Sequence, residues 1–130
     1  MSDRRPAQVG LWIPGPLPGL NEMIAAAKGC GGRGLAYSRM KKEWTMTIKF
    51  LAQAAQWRPM RAARFAFLWV ERNRSRNPDN IAAGRKFIFD GLVAAKVLSN
   101  DGWGEIRSWT DTFAVGDKPG VRVEIQEVTT

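Results

Sequence analysis

Residues 63–80 read A-R-F-A-F-L-W-V-E-R-N-R-S-R-N-P-D-N, and the change of pattern inside this stretch decides the fold. Its first half, Ala63 to Glu71, is aromatic and β-branched and apolar on both faces from Phe65 onward, which predicts a central strand of a sheet. Its second half turns basic and polar, and Asn77-Pro78-Asp79 has the form of a helix start. Asn suits the N-cap and Pro the first helical position, while an acid in the first turn gains about 0.3–1 kcal/mol from the helix dipole. The helix is expected to run from Pro78 to about Ala95. Ile81, Gly84, Ile88, Leu92 and Ala95 then form a core stripe, and Asp79, Lys86 and Asp90 fall within about 40° of one another on the other side.

Outward from this stretch the pattern continues in short elements. Upstream, Gln8 to Ile13 reads as a strand, and Pro14, Pro16 and Pro18 impose an extended path after it. Asn21 caps a short helix to Lys28, and the G-C-G-G-R-G run from Gly29 ends it as a flexible loop. That run lacks a following Gly-Lys-Ser/Thr, so it is not a phosphate loop. Ser38 caps a long helix reaching about Gln56, with Met40, Trp44, Ile48, Leu51 and Ala55 at helical spacing. Downstream, strands near Arg107–Val115 and Val121–Glu127 are joined by G-D-K-P-G, which reads as a hairpin. The order predicts a single α+β domain over residues 1–130. Its sheet is small, of about four strands, mainly antiparallel or mixed, with two main helices and one short helix on one side.

The chain has 130 residues, 45% of them apolar, enough for a real core. Twenty Lys and Arg against 12 Asp and Glu give a net charge of +8, the footprint of a polyanion partner. No run of about 18 apolar residues is present, and the start M-S-D-R-R has no apolar signal region behind it, so a cytoplasmic protein without a membrane partner is expected. One cysteine and no histidine rule out the usual zinc sites and every Ser-His or Cys-His nucleophile scheme. Any chemistry falls to oxygen ligands and lysines, with no organic cofactor expected.

Arg72, Arg74 and Arg76 form a basic ladder ahead of Asp79, and with Lys41 and Lys42 they are the phosphate-contact candidates. Asp101 follows in V-L-S-N-D-G-W-G-E. The functional expectation is that Asp79 and Asp101 converge on a divalent ion, since magnesium takes carboxylates, waters and substrate phosphates, and clustered carboxylates repel without a cation. The plain structural alternatives are a dipole-favoured acid at Asp79 and an ordinary (i, i+4) ion pair between Lys86 and Asp90, worth about 0.2–0.5 kcal/mol. Of the six tryptophans most read as core, and Trp103, in the Asp-Gly-Trp-Gly turn beside Asp101, is the one expected near substrate.

The blocks P-L-P-G-L-N ending at Asn21, R-N-R-S-R-N-P-D-N-I, K-F-I-F-D-G-L and V-L-S-N-D, with the final strands, resemble the RusA-like Holliday junction resolvases, small homodimeric endodeoxyribonucleases frequent in bacterial prophages. The resemblance covers most of the chain. It implies magnesium-dependent hydrolysis of a phosphodiester in a four-way DNA junction by a homodimer, in recombination and repair. Asp79 then matches the second acid of the family's D-x-D-N motif, Asp101 the later acidic ligand, and Lys86 the lysine needed for cleavage. Asp90 matches a recurrent helix acid. The family's first aspartate falls on Asn77, whose amide can ligate magnesium but brings no charge, with Glu71 or Glu105 as substitute carboxylates. Two other outcomes stay open at this point: a junction-binding protein of the same fold that does not cut, and a small basic RNA-binding protein.

Overall fold

Along the chain the elements are β1 (Gln8–Pro14), α1 (Leu20–Gly32), α2 (Leu35–Ala54), β2 (Ala63–Glu71), α3 (Pro78–Ala82), α4 (Arg85–Ala94), β3 (Ile106–Val115) and β4 (Gly120–Glu127). The computed structural model describes residues 8–32 and 34–129, without the side chains of residues 30–32. The polar start Met1–Arg5, the Cys30 side chain and Arg33 lie outside the described residues. The strands form one mixed sheet in the order β1-β4-β2-β3. β4 is antiparallel to β1 and to β2, whereas β2 and β3 are parallel. The fold is thus α+β, as expected, with α1, α2 and α4 of ten residues or more and a five-residue α3.

β2 is internal, but only one of its faces is fully covered. Phe65, Phe67 and Trp69 are buried on the helix side, and Phe89 of α4 meets Phe65 and Phe67 edge-on at 5.2 and 5.8 Å. The period-2 pleat sends Arg64, Ala66, Leu68 and Val70 to the opposite face, where exposure rises to half-buried or more. The apolar run that reads as two covered faces reflects instead one packed face and one tolerant face.

Three expectations are corrected by the topology. The G-D-K-P-G segment is not a hairpin turn, because β3 and β4 lie on either side of β2 and the connection passes over the end of β2, where Gly116 N–H donates to the Glu71 carbonyl at 2.9 Å. The helix from Pro78 is broken at Ala83–Gly84. Tight bonds of the three-residue type from Gly84 N–H to Ile81 O (3.2 Å) and Lys86 N–H to Ala83 O (3.2 Å) re-aim the chain there. A Cβ at residue 84 would lie 3.2 Å from Leu17 and 3.3 Å from the Trp69 ring, so the break is where the helix presses on the sheet. Asp79 therefore does not share a helical face with Lys86 and Asp90 by phase. Finally, α1 runs on through the glycines to Gly32, and α2 starts at Leu35 rather than at Ser38, directly after Gly34 at φ 69°.

Candidate functional site

Asn80 is the buried member of the N-P-D-N motif, only 8% exposed. Its Oδ1 accepts the Asn21 N–H at 2.8 Å, tying the start of α1 to the start of α3. A Cβ on Gly19 would stand 2.6 Å from that same oxygen, so the approach requires glycine. The two motifs P-L-P-G-L-N and N-P-D-N are thereby one structure. Asn77 opens α3 through its carbonyl, which accepts the Ile81 N–H at 3.0 Å, but its side chain makes no capping bond. With Asp79 it faces a cleft of about 380 Å³ that Asn21, Glu22 and Arg76 also line. Asp79 is exposed and, among the described residues, accepts only the neighbouring Asn80 N–H, at 3.0 Å.

Arg76 differs from the rest of the basic ladder. Its guanidinium donates through Nε and Nη2 to the two Glu71 carboxylate oxygens (2.9 and 2.8 Å), and through Nη1 to Glu22 (2.8 Å) and to the Leu17 carbonyl (3.1 Å). The fork of donors matches a carboxylate in plane, so this residue clamps the end of β2 onto the β1–α1 connection. The hydrogen bonds to Glu71 hold the Arg76 pKa above its ordinary value despite burial. Burial pushes the Glu22 carboxyl up, but the Gly19 N–H (3.0 Å) and Arg76 outweigh it and leave its pKa below the ordinary carboxylate value. Arg76 and Glu71 are thus committed to each other. Arg72 and Arg74 remain exposed, with Arg74 bordering a second cleft shared with Phe113, Ala114 and Val115.

Lys41 of α2 and Lys86 of α4 converge on Asp90, each ammonium 3.9 Å from the same Oδ2. That oxygen is buried and accepts no hydrogen bond. The arrangement neutralises a carboxylate in the α2–α4 groove while leaving both amines about half exposed. Lys42 is exposed on the same helix.

Asp101 lies elsewhere. It precedes Gly102, whose carbonyl accepts the Ile106 N–H at 3.0 Å, and Ala63 N–H bonds the Glu105 carbonyl at 2.8 Å, so its turn sits at the starting ends of β2 and β3. Asn77 and Asp79 sit beyond the finishing end of β2. β2 is nine residues long, roughly 26 Å. Within one chain Asp79 and Asp101 are therefore too far apart to share an ion, and the expectation of a single-chain pocket is corrected. Among the described residues no group of three Asp, Glu, Cys or His side chains could hold a metal ion. One chain does not fit magnesium with both carboxylates; Asn77 and Asp79 alone offer one charged and one neutral oxygen.

Sequence reasoning missed the Arg85–Asp111 ion pair, in which Asp111 also accepts the Trp69 indole N–H at 2.9 Å while Arg85 covers the Trp109 ring at 4.7 Å. The signal in the sequence was a single acid, Asp111, within an otherwise uncharged stretch from Ser108 to Val115. Among the described residues no helix is long and apolar enough to cross a membrane. Comparison with models of known protein families found no match, and a search of curated proteins found no significant one.

Proposed function

We propose that the chain is a magnesium-dependent, structure-specific endodeoxyribonuclease of RusA-like type that acts as a homodimer on four-way or otherwise branched DNA. The observation carrying this is the Asn77–Asn80 segment: a buried Asn80 fixes it from below, and Asp79 stands exposed and, among the described residues, without an ion pair, a few positions along the chain from exposed Arg72 and Arg74, in a protein of net charge +8. An acid kept clear of cations it could pair with is suited to a metal, and the flanking arginines are suited to the phosphates the metal would serve.

Because Asp79 and Asp101 lie at opposite ends of the β2–β3 pair, the ion is assigned to Asp79 and Asn77 of one chain with Asp101 of a second copy. β3 forms an edge of the sheet, and two copies meeting there in antiparallel fashion bring unlike ends together. A bound magnesium supplies a more acidic water and neutralises charge on the phosphate. Arg72 and Arg74 hold the phosphodiester backbone, and Lys86 meets charge building on the scissile phosphate. The neutral Asn77 favours one second reading, a protein that binds junctions and cuts them weakly or not at all. Such work takes place in the cytoplasm, where bacterial or phage DNA is.

The test is nicking of a synthetic four-way junction in magnesium. Asp79→Asn and Asp101→Asn should each abolish nicking while retaining DNA binding. Mixing the two inactive proteins should restore single-strand nicking, since a mixed dimer holds one complete site. Unrestored activity in the mixture would rule out the shared site, full nicking by either variant would remove that aspartate from the site, and no nicking by wild type would rule out the nuclease.

A further inference from the structure

At Gly91 the helix α4 presses against α2. A Cβ on this residue would stand 2.5 Å from Ile48 Cγ2 and 3.3 Å from the Thr45 carbonyl, so the close approach of the two helices depends on glycine. Asp90, the residue before it, is the one acid of α4. Its Oδ2 is buried and, among the described residues, accepts no hydrogen bond, and the same holds for the Thr45 hydroxyl of α2. Lys41 lies one turn before Thr45 on α2, and Lys86 one turn before Asp90 on α4. Helical spacing therefore brings two long basic side chains from different helices over one carboxylate.

Each ammonium stands 3.9 Å from Asp90 Oδ2, within ion-pair reach but beyond hydrogen-bond length. The carboxylate thus anchors two amines without taking any of their N–H donors. One negative charge against two positive ones leaves a positive charge over, and among the described residues neither lysine has a second acid partner. Glu43, the one acid of α2, is two residues on from Lys41 and so on a different side of the helix. The lysine side chains are 45% and 49% exposed against 18% for Asp90, so the uncompensated charge faces water. Because both nitrogens surround one oxygen, they are no farther apart than twice 3.9 Å. One phosphate group, with oxygens on opposite sides, bridges such a gap by ammonium–oxygen bonds of ~2.8 Å. We propose that Lys41 and Lys86 together bind a single phosphate group, and that in this protein of net charge +8 the group is a backbone phosphodiester of DNA. The inference rests on the DNA-binding part of the reading above and needs neither metal nor cleavage. It adds Lys41, from a second helix, to the phosphate that Lys86 meets.

The experiment follows binding of a synthetic four-way junction by fluorescence anisotropy in EDTA, from roughly 50 to 200 mM salt, for wild type, Lys41→Gln, Lys86→Gln and the double variant. One remaining lysine still neutralises a shared phosphate. Each single variant should therefore bind about fivefold more weakly with a nearly unchanged logarithmic salt slope, and the double variant should lose about 0.9 of slope, the equivalent of one contact. Lysines on separate phosphates would lower the slope by about 0.9 each and about 1.8 together, an additive result that overturns the shared site. An unchanged slope in the double variant overturns it too, as does wild type that binds no DNA. The double variant strands the Asp90 carboxylate, so it is also made with Asp90→Asn, and the expected slope loss in both forms supports the site free of any folding defect. Inorganic phosphate is the second probe. A melting temperature of wild type raised by phosphate over chloride at equal ionic strength, but not raised in the triple variant, with no DNA binding by wild type, would overturn the phosphodiester in favour of free phosphate. The expected slopes from a protein that does not nick the junction keep this site while removing the nuclease. Nicking by wild type, with an unchanged slope in the double variant, does the reverse.

Discussion

Replacing Arg76 by Met tests whether the basic ladder divides into a structural and a DNA-facing part. The side chain is 19% exposed and its principal partner Glu71 15%, so the pair is largely removed from water. Methionine fills part of the volume but deletes two hydrogen bonds to Glu71, one to Glu22 and one to the Leu17 carbonyl. Breaking a buried pair costs about 3–5 kcal/mol because one charge is left behind, and the residual exposure here discounts that to about 2–4 kcal/mol. The Glu22 contact adds little, being close to half exposed. For a domain of this size the change corresponds to a melting temperature lower by roughly 10 °C. Urea unfolding followed by circular dichroism measures the loss. DNA binding at several salt concentrations should then show an unchanged logarithmic salt slope for Arg76→Met, against a slope reduced by about 0.9 for Arg72→Ala or Arg74→Ala, neither of which alters stability by more than about 0.5 kcal/mol. An Arg76→Met protein as stable as wild type, or one whose salt slope falls like that of Arg74→Ala, would refute the division.

Three further outcomes are expected. Asn77→Asp adds a charged oxygen beside Asp79, so the magnesium concentration giving half-maximal nicking should fall about tenfold, read from initial rates across a magnesium titration. Gly91→Ala would place a Cβ 2.5 Å from Ile48 Cγ2 and 2.6 Å from Ile48 Cβ; the helix-propensity gain of about 1 kcal/mol is smaller than the overpacking, and a net loss of about 1–3 kcal/mol should appear in urea midpoints. The Glu22 carboxyl has a folded pKa below its ordinary value, so its contribution is present above the ordinary carboxylate range and is lost as pH falls through that range. Glu22→Gln should therefore flatten part of the acid limb of the stability–pH curve while leaving the neutral-to-alkaline part parallel to wild type.

Much of the strand content was legible because period and residue type agree there. Ala63–Glu71 has the predicted bounds, and β1, β3 and β4 begin or end within a residue of expectation. What the sequence concealed are contacts between distant segments. Nothing local marks Gly19 as the residue that must admit Asn80, nor Arg76 as the partner of Glu22, 54 positions away. The break at Gly84 was hidden for a related reason. The intrinsic pattern favours one continuous helix, and only the pressure of Leu17 and Trp69 turns a tolerated glycine into a boundary. The hairpin failed similarly: G-D-K-P-G is a competent turn, but β4 is drawn to the far side of β2 by the apolar match of Val121, Val123 and Ile125 with Trp69, Phe67 and Phe65.

The separation of Asp79 from Asp101 follows from the crossover itself. A parallel β2–β3 pair obliges the intervening chain to return from the finishing end of one strand to the starting end of the next, so residues just after β2 and just before β3 are held a strand length apart. No side-chain rotation closes such a gap. In the proposed dimer a second copy would close it, provided that it runs the opposite way, and β3 is the edge on which such pairing is proposed. It is ten residues long and contains neither proline nor lysine, and Trp109 (44%), Phe113 (38%) and Val115 (54%) remain exposed along it. Its one acid, Asp111, is already neutralised by Arg85. Devices that keep strands from pairing are confined to the start of the strand, where Arg107 sits at a register shift against β2, and antiparallel pairing of the remainder about a two-fold axis would set each Asp101 turn toward the other copy's Asn77–Asp79 segment. A proline at Phe113, which removes an N–H donor from the edge strand, should leave the fold intact but shift the protein to monomer in sedimentation and abolish nicking with it. A dimer that survives this change and still cuts would place the seam elsewhere on the molecule.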